Sequence, residues 1–333
     1  MIGVLSCILL FVIGVILLNL GGPDSLDAVE PFLYNLFSDR DIIRLGPSFF
    51  QKPIASLIVG TRLKKALSIY RLIGGKSPLR DITTAQAKAL ELSLNSSHST
   101  RLPSRSFKVY VGMRYWHPFT GESLEQMQKD GINKIVALSL YPHYSAATTG
   151  SSIRDFKNAA ADYSFEYVCV TSWFHHPLYI EALAARIEER LKGFADKPVV
   201  LFSAHSLPQK LVDAGDPYVE EISGTIDALT KKLDFSWFLS FQSKTGPIKW
   251  LGPSTKQMLH DLAGKGIKNL LVVPISFVSD HIETLYEIDI LYKGMAKNIG
   301  ITLERTESLN TSPIFIEALS DIVLNYTRGS GWI

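Results

Sequence analysis

The sequence predicts an α/β protein made of two Rossmann-like domains, each a mostly parallel sheet flanked by helices, with the active site in the cleft between them. Three observations carry that expectation. Short apolar runs alternate with amphipathic stretches from end to end, the pattern of successive βαβ units. The 333 residues exceed the roughly 100–200 that one core usually organises. A segment also recurs: Gly131-Ile132-Asn133-Lys134-Ile135-Val136-Ala137-Leu138-Ser139 is echoed by Gly266-Ile267-Lys268-Asn269-Leu270-Leu271-Val272-Val273-Pro274. Each copy follows an amphipathic helix pattern and leads into a loop of Ser, His and aromatic residues, as a duplicated unit would.

The elements fall in order along the chain. Residues 2–20 form an uncharged apolar run about long enough to span a membrane. No Lys or Arg precedes it and no small-residue cleavage site follows. Its second part, from Gly14 to Leu20, reads as a buried parallel strand entering the turn Gly21-Gly22-Pro23. The remaining residues 1–13 are then too short to span and are set apart as an apolar extension. Strands are expected at 15–18, 108–111, 134–140, 199–202 and 269–277. Helices are expected at 123–129, 178–192, 255–263 and 314–326. The Ser-rich stretch 93–106 reads as a surface loop. The first domain takes residues 14–168 and the second 169–311, with the C-terminal helix in 312–333 packing back on the first.

Composition narrows the function. Hydrophobic residues make up 46% and charged ones 20%, an ordinary globular balance. A formal charge of +2 without Lys/Arg blocks argues against a nucleic-acid partner. Cys7 and Cys169 stand far apart without CxxC spacing, so neither a disulfide framework nor a thiolate zinc or iron–sulfur site can be built, and a reducing cytoplasm fits.

In open α/β sheets ligands bind beyond the carboxyl ends of the strands, and the unusual residues collect there. They are Gly21-Gly22-Pro23, Arg114-Tyr115-Trp116-His117, Tyr141-Pro142-His143-Tyr144, Ser203-Ala204-His205-Ser206 and Ser279-Asp280-His281-Ile282-Glu283. A lone His205 would be a hydrogen-bonded histidine at a helix start. Beside Asp280, His281 and Glu283 it completes a set of imidazole and carboxylate ligands suited to a borderline divalent metal. Asp280 and Glu283 also have the spacing of an N-cap and its capping-box partner. Glu283 and Glu287, if helical, share a face on which like charges repel unless a cation or proton passes between them. Thr148-Thr149-Gly150-Ser151-Ser152 resembles an anion-binding helix start, though such clusters are usually caps. Gly74-Gly75-Lys76-Ser77 lacks P-loop spacing, and Ser203 and Ser206 lack the elbow of a serine hydrolase.

These motifs, together with Leu17-Leu18-Asn19-Leu20-Gly21-Gly22-Pro23, Met113-Arg114-Tyr115-Trp116-His117-Pro118, Gln242-Ser243-Lys244 and Trp250-Leu251-Gly252-Pro253, resemble those of ferrochelatases, in family order from about Val15 to Asp321. The resemblance implies insertion of Fe²⁺ into protoporphyrin IX, the last step of heme synthesis. It makes His205 and Glu283 metal ligands and proton acceptors, with Asp280 and His281 as their catalytic support. Leu20, Arg114, Tyr115, Tyr141, Trp250 and Phe277 would line the porphyrin pocket. Arg62, Tyr70 and Ser77 would serve its propionate side, and His176 and Asp321 match positions sometimes given catalytic roles. Fe²⁺ is a substrate, and no permanently bound cofactor is expected. Three departures stand out. Leu291 replaces an acidic residue one turn past Glu287, the C-terminus lacks iron–sulfur cysteines, and the extension before Val15 is not needed by the family core.

Metalation requires a distorted macrocycle, a proton acceptor and partial dehydration of the metal. His205 can accept protons or bind the metal, but hardly both at once. The segment 42–63, with Phe49, Phe50, Ile54, Leu57, Ile58 and Val59 among basic residues, is either a buried helix or, as the resemblance places it, an apolar rim in peripheral contact with the membrane. A chelatase for another metal or porphyrin, and a non-catalytic heme or metal binder, are the competing readings.

Overall fold

The computed structural model describes residues 11–41, 46–98, 105–244, 246 and 248–333. Its first sheet is opened by β1 (Phe11–Asn19), a strand without a charged residue. A long excursion follows through α1 (Val29–Ser38), a 3₁₀ turn (Ser48–Phe50), α2 (Gln51–Leu72) and α3 (Leu79–His98). The chain returns through β2 (Arg105–Met113), α4 (Thr120–Lys129), β3 (Lys134–Ser139), α5 (Thr149–Ala160) and β4 (Glu166–Val170). After α6 (Pro177–Leu191), the second sheet begins with β5 (Val199–His205), α7 (Gln209–Asp213), α8 (Tyr218–Thr230) and β6 (Trp237–Gln242). It is completed by α9 (Thr255–Gly264), β7 (Asn269–Pro274), a π-helix (Glu283–Tyr292), α10 (Lys293–Asn298), β8 (Thr302–Arg305) and α11 (Pro313–Gly329).

The sheets are parallel and share one order, β2-β1-β3-β4 and β6-β5-β7-β8. In each, the chain leaves the first strand toward one edge and resumes on its other side. This creates a switch point between β1 and β3, and another between β5 and β7, where loops diverge and leave a crevice. Central strands are covered on both faces, which explains their continuous apolar character. One apolar cluster runs through both halves, joining Val15, Leu17 and Val136 to Val200, Phe202 and Leu271. Hydrogen bonds join the halves at the cleft as well. Asp216 accepts from the Ala146 amide at 2.8 Å, and Glu221 accepts from the Tyr144 amide at 2.6 Å.

Several sequence boundaries move. Phe11, Val12 and Ile13 belong to β1, pairing with Arg105, Ser106 and Phe107, and Ile13 is fully buried. The extension 1–13 therefore overlaps the core, and its residues 1–10 lie outside the described residues. The division at 168/169 falls inside β4, whose Val168 and Cys169 both pair with β3. The loop expected at 93–106 is helix as far as His98 and strand from Arg105, with 99–104 outside the described residues. The strands β4, β6 and β8 were missed because they are short and carry exposed residues at sheet edges, so the apolar run is broken. Within 312–333, α11 packs against both α6 and α3, and Trp332 Nε1 donates to Glu166 at 2.6 Å.

Candidate active site

Both switch points open on the same cleft. His205 is the last residue of β5, and the π-helix that starts at Glu283 follows β7. Leu20 and Gly21 follow β1, while Tyr141 follows β3. Two glycines allow the turn after β1 to lie against the cavity wall. Gly21 adopts φ +84°, and a Cβ on Gly22 would come 2.5 Å from Ser77 Oγ.

His205 Nδ1 lies 2.9 and 3.0 Å from the two oxygens of Glu283. Gln242 Nε2 donates to the same carboxylate at 3.2 Å, and Gln242 is itself oriented by Ser203 Oγ, which donates to its carbonyl at 2.6 Å. The His205 backbone is pinned by Ser276 and Tyr218. Burial opposes ionisation of Glu283, but the charge and hydrogen bond of His205 prevail and hold this carboxyl well below its ordinary range. Burial likewise works against a charged His205, and here Glu283 prevails and raises the imidazole above its ordinary value. Each partner thus favours the charged form of the other. The Asp280–Glu283 capping box does not form, since the Asp280 amide donates to Asn310 Oδ1 at 3.0 Å.

His281 differs. Its Nδ1 faces the Ser279 carbonyl at 3.0 Å, an acceptor that fixes the proton on Nδ1. Nε2 is left as a buried lone pair without a hydrogen-bond partner among the described residues. It lies 3.9 Å from Glu283 Oε1. Burial lowers the His281 pKa, which favours the neutral imidazole here. One turn on, Glu287 accepts from Ser243 Oγ at 2.7 Å, and Ser243 reaches it from a left-handed backbone conformation, φ +65°. Burial, then the charge of Glu283, pushes the Glu287 carboxyl up to about 7.

Glu283, Ile282 and His281 form one wall of a cavity of about 580 Å³, within the usual size of a small-molecule site. Its opposite wall is the α1–α2 excursion, represented by Phe32, Leu36, Phe37, Arg62 and Ile69, with Tyr70, Ser77, Leu20 and Lys244 completing the lining. The arrangement suits a large apolar ligand with anionic ends, whose one face meets imidazole and carboxylate.

A ferrochelatase family model matches residues 12–327. A ferrochelatase from Geotalea daltonii is 49% identical over 95% of this chain and 98% of its own length. One from Desulfotalea psychrophila is also 49% identical, with the same coverage. The chain belongs to the ferrochelatase family. In fold it is similar to SirB from Bacillus subtilis, with a TM-score of 0.52 at 15% identity over 74% of this chain and 92% of that one.

Against the family expectation, the structure brings some site residues together and separates others. Leu20, Arg62, Tyr70, Ser77, His281 and Glu283 line the large cavity. Tyr141 and Phe277 lie just beneath it, with the Phe277 ring 4.3 Å from His281 and 6.0 Å from His205. Arg114 and Tyr115 are elsewhere. Both bind Asp39, at 2.8 and 2.6 Å, and they line a separate polar cavity of about 500 Å³. Trp250 lines none of these cavities and instead makes a β-bridge with Pro208. His176, just before α6, and Asp321 on α11 pair with each other at 3.0 Å and line none of these cavities. Asp280 is turned from the site, because Thr284, Arg305, Ser308 and Asn310 all donate to its carboxylate. Ser151, in the loop read as an anion site, is engaged by Arg114. The apolar wall of α1 was not anticipated. Its spacing reads as an ordinary buried helix face, and only the excursion's position shows that this face meets a ligand.

Proposed function

We propose that this chain inserts Fe²⁺ into protoporphyrin IX to form heme, the closing step of heme synthesis, with His205, Glu283 and His281 as its reactive groups. The observation that carries the assignment is the His205–Glu283 pair, 2.9 Å apart, beside the His281 Nε2, buried and unpartnered among the described residues, with Glu283 and His281 lining the apolar cavity. Metalation expels two pyrrole protons, so the site needs an acceptor that is unprotonated at rest. His281 Nε2 meets that requirement, with its tautomer fixed by Ser279. Arrival of a dication lowers the proton affinity of the His205–Glu283 pair, so that His205 sheds its proton to water, Glu283 meets the metal, and the freed imidazole takes the second pyrrole proton while His281 takes the first. The apolar lining strips water from the macrocycle, and holding it bent favours the transition state over the planar product. Arg62 and Lys244 in the cavity's lining supply counter-charges for propionates.

The test is Glu283→Gln, which keeps shape and hydrogen-bonding capacity but removes charge. Turnover in anaerobic Fe²⁺ insertion should fall at least roughly a hundredfold, while porphyrin binding stays close to the parent. Turnover within a few-fold of the parent would remove Glu283 from the chemistry.

The same reading extends to peripheral contact with a membrane surface. Phe49 and Leu57 are 70% and 69% exposed on the excursion, alongside Lys52, Lys64 and Lys65, so exposed apolar groups sit among basic ones that anionic headgroups would attract. Residues 42–45 of this segment lie outside the described residues, and no described helix is long and apolar enough to cross a membrane. Co-sedimentation with anionic vesicles should be lost in Leu57→Asp, and equal sedimentation of the variant and the parent would refute the contact.

A further inference from the structure

The π-helix bearing Glu283 and Glu287 is an unusual element, since i→i+5 bonding is rare and persists only where its surroundings hold it. Its surroundings here centre on one side chain. Arg305, the last residue of β8, is 11% exposed and donates through Nε and Nη2 to both oxygens of Asp289, at 2.9 and 2.8 Å. Its Nη1 donates to Asp280 Oδ1 at 2.9 Å. Asp280 precedes the helix and Asp289 lies within it, so a single planar guanidinium ties the entry loop to the body of the helix. Thr284, Ser308 and Asn310 hold Asp280 from other directions, leaving the clamp little freedom.

Asp289 follows Glu287 by two residues, about half a turn in a helix. The clamp therefore grips the helix on the side opposite the one that offers Glu287 to Ser243. Its grip fixes the rotation of the helix about its axis, and rotation decides where both carboxylates point. We propose that Arg305 is a positioning residue for metal insertion, setting the rotation of the π-helix through its fork on Asp289. This inference rests on the reading of Glu283 and Glu287 as the acidic side of the metal site. It assigns Asp280 a part in the same clamp.

The experiment uses the full chain with Asp289→Ala, Arg305→Lys and Arg305→Met. Asp289 is partly exposed, so its truncation leaves the core and the Arg305–Asp280 pair in place. For Asp289→Ala, kcat/KM for Fe²⁺ should fall at least roughly tenfold while the porphyrin dissociation constant stays within about twofold, because the displaced groups are those that meet the metal. Arg305→Lys, which keeps the charge and loses the fork, should fall between the parent and Arg305→Met. Amide hydrogen exchange across residues 283–292, measured without substrates, should accelerate in Asp289→Ala. A parent value of either exchange or kcat/KM for Fe²⁺ in Asp289→Ala would overturn the proposal, as would equal losses toward Fe²⁺ and porphyrin, which mark general destabilisation. Should Arg305→Met fail to fold, Asp289→Ala decides alone. If the parent itself inserts no iron, the functional reading fails, and unchanged exchange would separately refute the clamp.

Discussion

The two halves share a strand order and yet do opposite work. In the first half, the strand at the switch point leads into a long excursion whose α1 and α2 offer Phe32, Leu36, Phe37 and Ile69 to the cavity. In the second half, the equivalent strand ends on His205, and only the short α7 and α8 precede β6. After the third strand, the first half continues into the regular α5, whereas the second enters the π-helix bearing Glu283 and Glu287. One topology thus supplies a wall for a flat apolar ligand on one side and ionisable groups on the other. The sheet fixes where loops converge, and the loops alone fix what converges there.

The contrast predicts that substitutions in the two halves separate binding from chemistry. The largest separation is the loss of turnover at intact porphyrin binding expected for Glu283→Gln. The reverse effect should come from the wall. Ile69→Ala removes apolar contact worth up to about 1–2 kcal/mol, close to tenfold in the porphyrin dissociation constant. Fluorescence titration should show that weakening with turnover at saturating porphyrin nearly unchanged. A comparable fall in saturated turnover would show that the wall also shapes the transition state.

A smaller effect distinguishes Glu287 within the second half. Its carboxyl is raised from 4.5 to about 7, by burial first and then by Glu283. Across that window the folded chain keeps a proton that the unfolded chain releases, so this group makes stability fall as pH rises. Glu287→Gln cannot lose that proton. The Tm of the variant, relative to the parent, should therefore climb between pH 4.5 and 7. Parallel Tm curves would mean that Glu287 is ionised throughout, with its charge already compensated.

Much of this was legible in the sequence, and the pattern of failures is physical. β1, β3, β5 and β7 are covered on both faces, so burial leaves a continuous apolar run that a reader can find. The edge strands β4, β6 and β8 are partly exposed and leave no such run. Strand ends rich in His, Ser and aromatic residues marked the cleft, where the structure brings His205, His281 and Glu283 together. Arg114, Tyr115 and Trp250 also follow or flank strands, and the structure gives them other surroundings.

By itself, the sequence determined the α/β class, the doubled unit, the family and the residues able to carry metal chemistry, because these depend on periodicity and side-chain type. Only the tertiary structure decided the contacts within that set. Whether Asp280 is a ligand or a clamp depends on Arg305, 25 residues away along the chain. Whether His281 is charged depends on burial and on the Ser279 carbonyl. Whether Glu283 caps a helix or faces a metal depends on His205, which approaches from another strand, 78 residues away. Protonation and direction are set by the neighbours a side chain meets in space, and those neighbours come from distant parts of the chain.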